Sequence, residues 1–291
     1  MITGVRCLAK VGLTGLLVAS GHRLAAQDQR TALLDAERVT VELSRDSGFA
    51  KAILTGTHRD AIVLWPGAPV VAGTADVKRL LAALPADSIQ LTWQPLGIEL
   101  SRDSSLGITW GVAVGGASRT AEIGNYISAW RRDGTRWSIA ALVFAGLGRL
   151  PKPLLRGDIP LSRKAIKPGG SRGPFVAADL AFARLAGDSG AAVAFEHWAA
   201  PDAVTFFERG LLTRGPRDIG RAVDFPAVWR WHPVAAGAAA SGDLGWTVGE
   251  ATIAARDAEP TYSKYLTVWV RGEGGTIRFL TDGGNGRPAS R

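Results

Sequence analysis

Apolar and polar residues recur along this chain in two rhythms, and the same succession of rhythms is met twice. Residues 30–46 carry Leu33, Leu34, Val39, Val41 and Leu43 at helical spacing, and residues 174–187 do the same with Phe175, Leu180, Phe182 and Leu185. Each run stops at Asp-Ser-Gly, residues 46–48 and 188–190. That tripeptide supplies a helix stop and a cap for a second, short helix expected over about 48–56 and 190–199. A short strand is expected at Ala61–Trp65 and at Ala203–Phe207, then a turn ending in glycine, then a helix opening at Thr74 or at Pro216. Proline suits a first helical position because the amide there has no helical partner to lose. Beyond this point the period shortens to two. Four antiparallel strands are predicted in each copy, over 89–101, 106–116, 121–132 and 136–144, and over 228–239, 244–255, 262–271 and 276–281. Arg132-Asp133-Gly134 and Gly272-Glu273-Gly274-Gly275 read as the last hairpin turns.

The rhythm repeats because the sequence does. Residues 36–78 align with 178–220 without a gap at an offset of 142, with 11 of 43 positions identical, Asp46/Asp188, Gly48/Gly190, Asp60/Asp202 and Gly73/Gly215 among them. Such a unit is far longer than a solenoid repeat of about 20–50 residues, so it marks a duplicated domain. Helices followed by a meander of strands indicate an α+β fold with helices on one face of a sheet. A strongly curved sheet of this kind wraps its helices into a cone, and the open end is an apolar pocket. The expected units are a divergent first domain at 27–150, a basic Pro/Gly linker at 151–172 and a second domain at 173–291.

Residues 1–26 read as an export signal: Arg6 and Lys10, an apolar run from Val11 to Ser20, and Leu24-Ala25-Ala26 before Gln27. The run is too short to cross a hydrocarbon layer of about 30 Å as a helix, and no later segment is long and apolar enough, so no transmembrane segment is expected. Cys7, the one cysteine, falls inside this leader. The mature chain therefore has no thiol chemistry or disulfides, which suits a periplasmic or secreted bacterial protein. The net charge of +8 does not describe the domains. Residues 27–150 hold 13 basic and 12 acidic groups, and 173–291 hold 12 and 13. The excess sits in the leader and the linker, so neither domain offers the basic face that nucleic acid requires.

The second copy carries SGDLGWTVGEATIAA (241–255) and YSKYLTVWVRGEGGTIRFLTDGGN (262–285). This pattern resembles domain of unknown function family 4440, within the nuclear transport factor 2-like or SnoaL-like superfamily. The resemblance covers 174–285. The first copy resembles the family through Tyr126…Trp130 and Arg131-Arg132-Asp133-Gly134-Thr135-Arg136-Trp137, with Asp103-Ser104-Ser105-Leu106-Gly107 in place of SGDLG. What the resemblance implies is two tandem cone-shaped domains, each with N-terminal helices packed on a strongly curved antiparallel sheet. It does not imply one chemistry, since fold and function are separable.

Gly187-Asp188-Ser189-Gly190 copies the tetrapeptide around a serine-protease nucleophile, but no base or oxyanion hole accompanies it, and it reads as a helix cap. His58, His197 and His232 lie on different elements, so no metal is expected. No phosphate loop or dinucleotide fingerprint is present, and no cofactor is expected. General acid–base work would fall to Tyr265 with Glu250, His197 or Asp282, with Glu196 also weighed. Their first-copy counterparts are Tyr126, Val112, Thr55, about Leu142 and Leu54, so of these only the tyrosine is kept. Trp198, Trp229, Trp231, Trp246, Tyr265 and Trp269 are the expected pocket wall. The reading preferred on sequence is an intramolecular pseudo-dimer of two domains, packed through their sheets, whose second cone binds a small apolar ligand without transforming it. A lyase or isomerase, and an interaction module with closed cones, are the alternatives.

Overall fold

The computed structural model describes residues 14–84, 89–115, 122–147, 172–208 and 211–289. The start of the expected leader and, Arg172 apart, the basic linker lie outside the described residues. The first half opens with helices α1 (Thr14–Ser47), α2 (Phe49–Gly56) and α3 (Thr74–Ala82). Its strands are β1 (Thr57–Leu64), β2 (Val71–Ala72), β3 (Leu91–Leu100), β4 (Leu106–Gly115), β5 (Glu122–Asp133) and β6 (Arg136–Ala145). The second half repeats the order with α4 (Gly173–Ser189), α5 (Ala191–Trp198), β7 (Ala199–Glu208), β8 (Leu211–Arg214), α6 (Pro216–Ala222), β9 (Ala227–Ala238), β10 (Leu244–Ala255), β11 (Thr261–Arg271) and β12 (Ile277–Gly286). The α+β class, the tandem arrangement and the long strands are as the sequence pattern indicates.

Each sheet has six strands, ordered β2-β1-β6-β5-β4-β3 and β8-β7-β12-β11-β10-β9. The sheets are mixed rather than antiparallel throughout, because β1 runs parallel to β6 and β7 parallel to β12. The chain enters each first strand from a helix that crosses the concave face, which sets its direction. The two-strand edges β2 and β8 were not expected. α1 starts at Thr14, well before the expected residue 30.

The Asp-Ser-Gly stops act through their glycines. Gly48 and Gly190 have φ of 93° and 90° and cap α2 and α5 with no side-chain bond from Ser47 or Ser189. Glycine alone takes that conformation without strain. Both serines end helices, as the cap reading requires.

Alternation sorts every strand onto two faces. Val63 in β1 and Trp65 just after it point into the first cone, while Ile62 and Leu64 point away from it. The outward residues do not meet water. Ile62, Leu64, Ile108, Ile127 and Val143 form one buried cluster with Val204, Phe206, Trp246, Val248, Leu266, Val268 and Leu280. The two sheets therefore pack back to back, cones facing outward. Polar groups lock the contact at two places. Lys264 Nζ donates to the carbonyl of Trp65 at 2.9 Å and of Gly286 at 2.9 Å, and to Asn285 Oδ1. Asn285 Nδ2 in turn donates to the carbonyls of Leu64 at 2.7 Å and Phe144 at 2.8 Å. At the other end two hairpin loops exchange bonds. The Ser241 amide donates to Asp103 at 2.9 Å, and the Arg102 amide donates to Asp243 at 3.0 Å.

That exchange revises one sequence comparison. Ser101-Arg102-Asp103 and Ser241-Gly242-Asp243 occupy the same place, with each serine hydroxyl bonded to the aspartate two residues on. The first copy keeps the Ser-x-Asp part of the SGDLG signature and inserts two residues after it. At Asp103 burial opposes ionisation, but bonds from Ser101, Ser105 and the Ser241 amide outweigh it and hold the carboxyl well below its usual range.

Candidate functional site

The inward face of α1 is a stripe at helical spacing: Leu33, Glu37, Thr40 and Ser44, all buried. In α4 the corresponding stripe is Phe175, Ala178, Asp179, Phe182 and Ala186. Glu37 and Asp179 are the same position of the repeat, 142 residues apart. Each half thus drives one carboxyl into its cone from its first helix. Around that carboxyl the strands place the same partners twice: Tyr126 or Tyr265, Trp93 or Trp231, Thr109 or Thr247, Trp130 or Trp269.

In the second cone the Tyr265 hydroxyl donates to Asp179 Oδ1 at 3.1 Å and Oδ2 at 3.0 Å, and the Trp231 indole donates to Oδ1 at 3.0 Å. Trp269 Nε1 donates to Thr247 Oγ1 at 2.8 Å. Burial pushes the Asp179 carboxyl up to about 6, against the opposing pull of Thr247, Tyr265 and Trp231. In the first cone Thr109 Oγ1 donates to Glu37 Oε1 at 2.9 Å and accepts from Trp130 Nε1 at 3.0 Å. Tyr126 and Trp93 stand beside Glu37 and favour its charged form, yet burial dominates and raises it to about 7. No hydrogen bond closes on Glu37 Oε2 or on the Tyr126 hydroxyl.

The second cone has more polar groups than the first. Asp282 on β12 is paired with Thr267 on β11 and with Thr205 on β7, so all three share the inward face. Thr267 Oγ1 donates to Asp282 Oδ2, and Thr205 Oγ1 is buried without a hydrogen-bond partner. Burial, with the nearby Asp179 charge, pushes Asp282 up to about 7. The same three positions in the first cone hold Leu142, Ser128 and Val63, which bring one hydroxyl and no charge.

The two interiors also differ in access. Tyr126 and Leu142 are 0 % and 1 % exposed, whereas Tyr265 and Asp282 keep 9 % and 6 %. Trp93 is buried in the first cone, with Phe144 at 5.7 Å and Tyr126 at 6.2 Å between ring centres. Its counterpart Trp231 is half-exposed, as are Trp198 and Trp229. Trp229 packs on Phe225 at 5.5 Å and Phe195 at 6.0 Å, Trp231 on Phe182 at 4.8 Å, and Trp198 on Trp269 at 6.0 Å. Phe182, Phe195, Trp269 and Phe279 form the buried cluster against which these partly exposed rings pack.

The expected site residues are therefore only partly brought together. Tyr265 and Asp282 point into the second cone, Trp231 shares the Asp179 carboxyl with Tyr265, and Trp198, Trp229 and Trp269 belong to the aromatic cluster of the same half. Glu250 does not join them. It follows Gly249, which lies under the Tyr265 hydroxyl, so alternation turns it to the outer face, where it pairs with Arg287 at 3.4 Å. His197 and Glu196 are exposed on α5. Trp246 belongs to the cluster between the sheets, packed over Gly237. The residue that sequence reasoning missed is Asp179, and with it Glu37. Their signal was present: an acidic residue four positions after Leu33 and after Phe175 falls on the buried stripe of its helix. Among the described residues no cluster of His, Cys, Asp and Glu could hold a metal ion, and no helix is long and apolar enough to cross a membrane.

No protein-family profile matches the chain, and no curated protein matches it. Solved structures do. An NTF2-like protein with a cystatin-like fold from Novosphingobium aromaticivorans is 19 % identical, covers 47 % of this chain and 90 % of its own, and has a TM-score of 0.35. The Δ5-3-ketosteroid isomerase of Mycobacterium sp. is 17 % identical over 38 % of this chain and 91 % of its own, TM-score 0.33. A Mycobacterium tuberculosis protein crystallised in complex with estradiol-17β-hemisuccinate is 11 % identical over 38 % and 92 %, TM-score 0.32. The chain is similar in fold to nuclear transport factor 2-like and ketosteroid isomerase-like proteins.

Proposed function

We propose that the second cone binds a small, largely apolar molecule that carries one polar group. The observation that supports this reading is the accessible surface left on Tyr265 and Asp282, at positions that are sealed in the first cone. An apolar body would lie among Trp198, Trp229 and Trp231, and its polar group would meet the carboxyl of Asp282, a donor when protonated and an acceptor when not. Near neutral pH both forms of Asp282 are populated, so either a hydroxyl or a carbonyl on the guest can be matched.

The test is a thermal-shift and tryptophan-quenching titration with 2-naphthol against naphthalene. At a hundredfold excess over Kd, binding to the native state stabilises by about 2.7 kcal/mol, a rise of several degrees in Tm. 2-Naphthol should bind more tightly than naphthalene, and Asp282→Leu, the residue of the first cone, should remove that preference. Equal binding by the variant, or no binding of either compound, would end this reading.

A second reading has its own support: Asp282 and Asp179 are both raised toward neutral within one cone, beside Tyr265, as acid–base chemistry needs. Mass spectrometry of the compound recovered after prolonged incubation separates the two. An unchanged mass and retention time keep binding, and an isomerised or dehydrated product replaces it with a lyase or isomerase.

The same proposal takes residues 27–150 and 173–291 as the two members of an internal pseudo-dimer, and residues 1–26 as a leader removed on export. N-terminal sequencing of protein from the periplasm or medium should begin near Gln27. Intact Met1 on an envelope-free protein would refute the export.

A further inference from the structure

The two halves differ most, outside the cones, in how their short helices meet. In the second half α5 and α6 are in close contact because residue 220 is glycine. A β-carbon there would lie 2.9 Å from the Ala192 carbonyl oxygen and 3.1 Å from Glu196 Cβ, closer than a side chain tolerates. The position aligned with Gly220 in the first half is Lys78. A lysine cannot adopt the second half's geometry, so α3 stands away from α2. The separation leaves a groove of about 440 Å³ with an apolar floor that includes Phe49, Leu54, Leu81 and Ile89. Two exposed ammonium groups border it, Lys51 and Lys78, where the second half has Val193 and Gly220. Among the described residues neither lysine makes an ion pair. The groove lies on the helical side of the first half, away from the second cone, and its size is that of a small-ligand site.

We infer that this groove is a second binding site, for a medium-chain fatty acid held with its alkyl chain on the apolar floor and its carboxylate between Lys51 and Lys78. The charge decides the choice of occupant: among the described residues the apolar trough is bordered by Lys51 and Lys78, neither in an ion pair, and by no carboxylate, which favours an anionic amphiphile over a neutral one. The chain contributes about 0.8 kcal/mol for each buried methylene, and the paired charges contribute selectivity more than affinity.

Isothermal titration with sodium dodecanoate, kept below its micelle concentration, tests the site on the full chain. Dodecanoate should bind more tightly than dodecanol. Lys51→Gln with Lys78→Gln, both on exposed side chains and expected to fold, should weaken dodecanoate about tenfold and leave dodecanol unchanged. Lys78→Gly should weaken both by letting α3 close. Asp282→Leu, which alters the second cone, should leave dodecanoate binding intact, so failure of the cone proposal and failure of this one are distinguishable. The inference is overturned if dodecanoate fails to bind, if dodecanol matches it, if the double variant binds dodecanoate as wild type does, or if Asp282→Leu abolishes the binding.

Discussion

Glu37 and Asp179 sit where helix surface would ordinarily carry Leu or Ala, and they keep their protons to a higher pH than free carboxyls do. Together with Asp282 they give the fold an unusual response to pH. A carboxyl whose folded value lies above its unfolded one stabilises fully below the unfolded value, and that contribution is lost as pH rises through the folded one. The protein should therefore lose stability between about pH 4 and pH 7, on the order of a few kcal/mol per buried carboxyl. Asp282→Asn should flatten part of that slope, measured as urea midpoints across the range. A slope unchanged by the variant would assign the effect elsewhere. Asp179→Ala removes the acceptor of Tyr265 and Trp231 and should cost about 1–3 kcal/mol, with little pH dependence left from that site. At this scale the sequence was only half legible. Tyr265 and Tyr126 showed themselves by alternation along a strand and by recurring in both copies. The carboxyl did not, because Glu and Asp on a helix are ordinarily solvent-facing. Only the buried stripe that runs through Leu33 and Phe182 turns these two inward.

The strands of the meander, from β3 to β6 and from β9 to β11, were legible almost to their ends, since a period of two over ten residues has few other readings, whereas β1 and β7 begin four residues before the expected start and β12 runs five beyond the expected end. The cone was legible as a class, from helices followed by a meander and from the family resemblance, but the points at which the sheet bends were not, because curvature comes from interruptions that a two-residue period does not reveal. β3 and β9 each slip register against β4 and β10, at Pro95/Gly97 and opposite Val248/Gly249, and β5 and β11 slip against β6 and β12 near Trp130 and Trp269. Bulges of this kind bend a sheet. Glycines then admit the side chains that the bend brings close: a β-carbon on Gly249 would lie 2.1 Å from the Tyr265 hydroxyl oxygen and 2.4 Å from the His232 carbonyl oxygen. Gly249→Ala should destabilise by at least 1–3 kcal/mol and displace Tyr265 from Asp179. Guanidinium unfolding gives the first quantity, and the loss of any 2-naphthol binding gives the second. The short edges β2 and β8 and the parallel pairings were hidden for another reason. A strand of two residues, as in β2, or four, as in β8, is too short to show a period, and strand direction depends on where the preceding helix delivers the chain.

Across the whole molecule, the duplication announced two domains but not how firmly they hold each other. The outward face of each sheet reads in sequence as it would for any buried strand, whichever partner buries it. The answer lies in Lys264 and Asn285, which reach from the second half to carbonyls at the ends of β1 and β6. Burial lowers the Lys264 ammonium to about 7, further depressed by Arg287 and partly restored by Glu250. Its folded value lies below the unfolded one, so burying it costs stability at neutral pH, and the cost fades as pH rises from about 7 toward 10. Asn285→Ala leaves two buried carbonyls without donors and should cost about 1–3 kcal/mol. If the halves depend on each other as the shared cluster implies, unfolding stays a single transition by far-UV and tryptophan signals alike, at a lower midpoint. Two separated transitions in the parent protein would show instead that each half stands alone.

The sealed first cone has a consequence for how such a chain can change over time. A lone domain must keep both its hollow and its docking face at once, and a mutation that serves one can damage the other. Here a half with a solid interior supplies a permanent brace, already attached at fixed stoichiometry. The other half is then free to carry polar groups in its interior, Asp282 being one, at the expense of its own solidity.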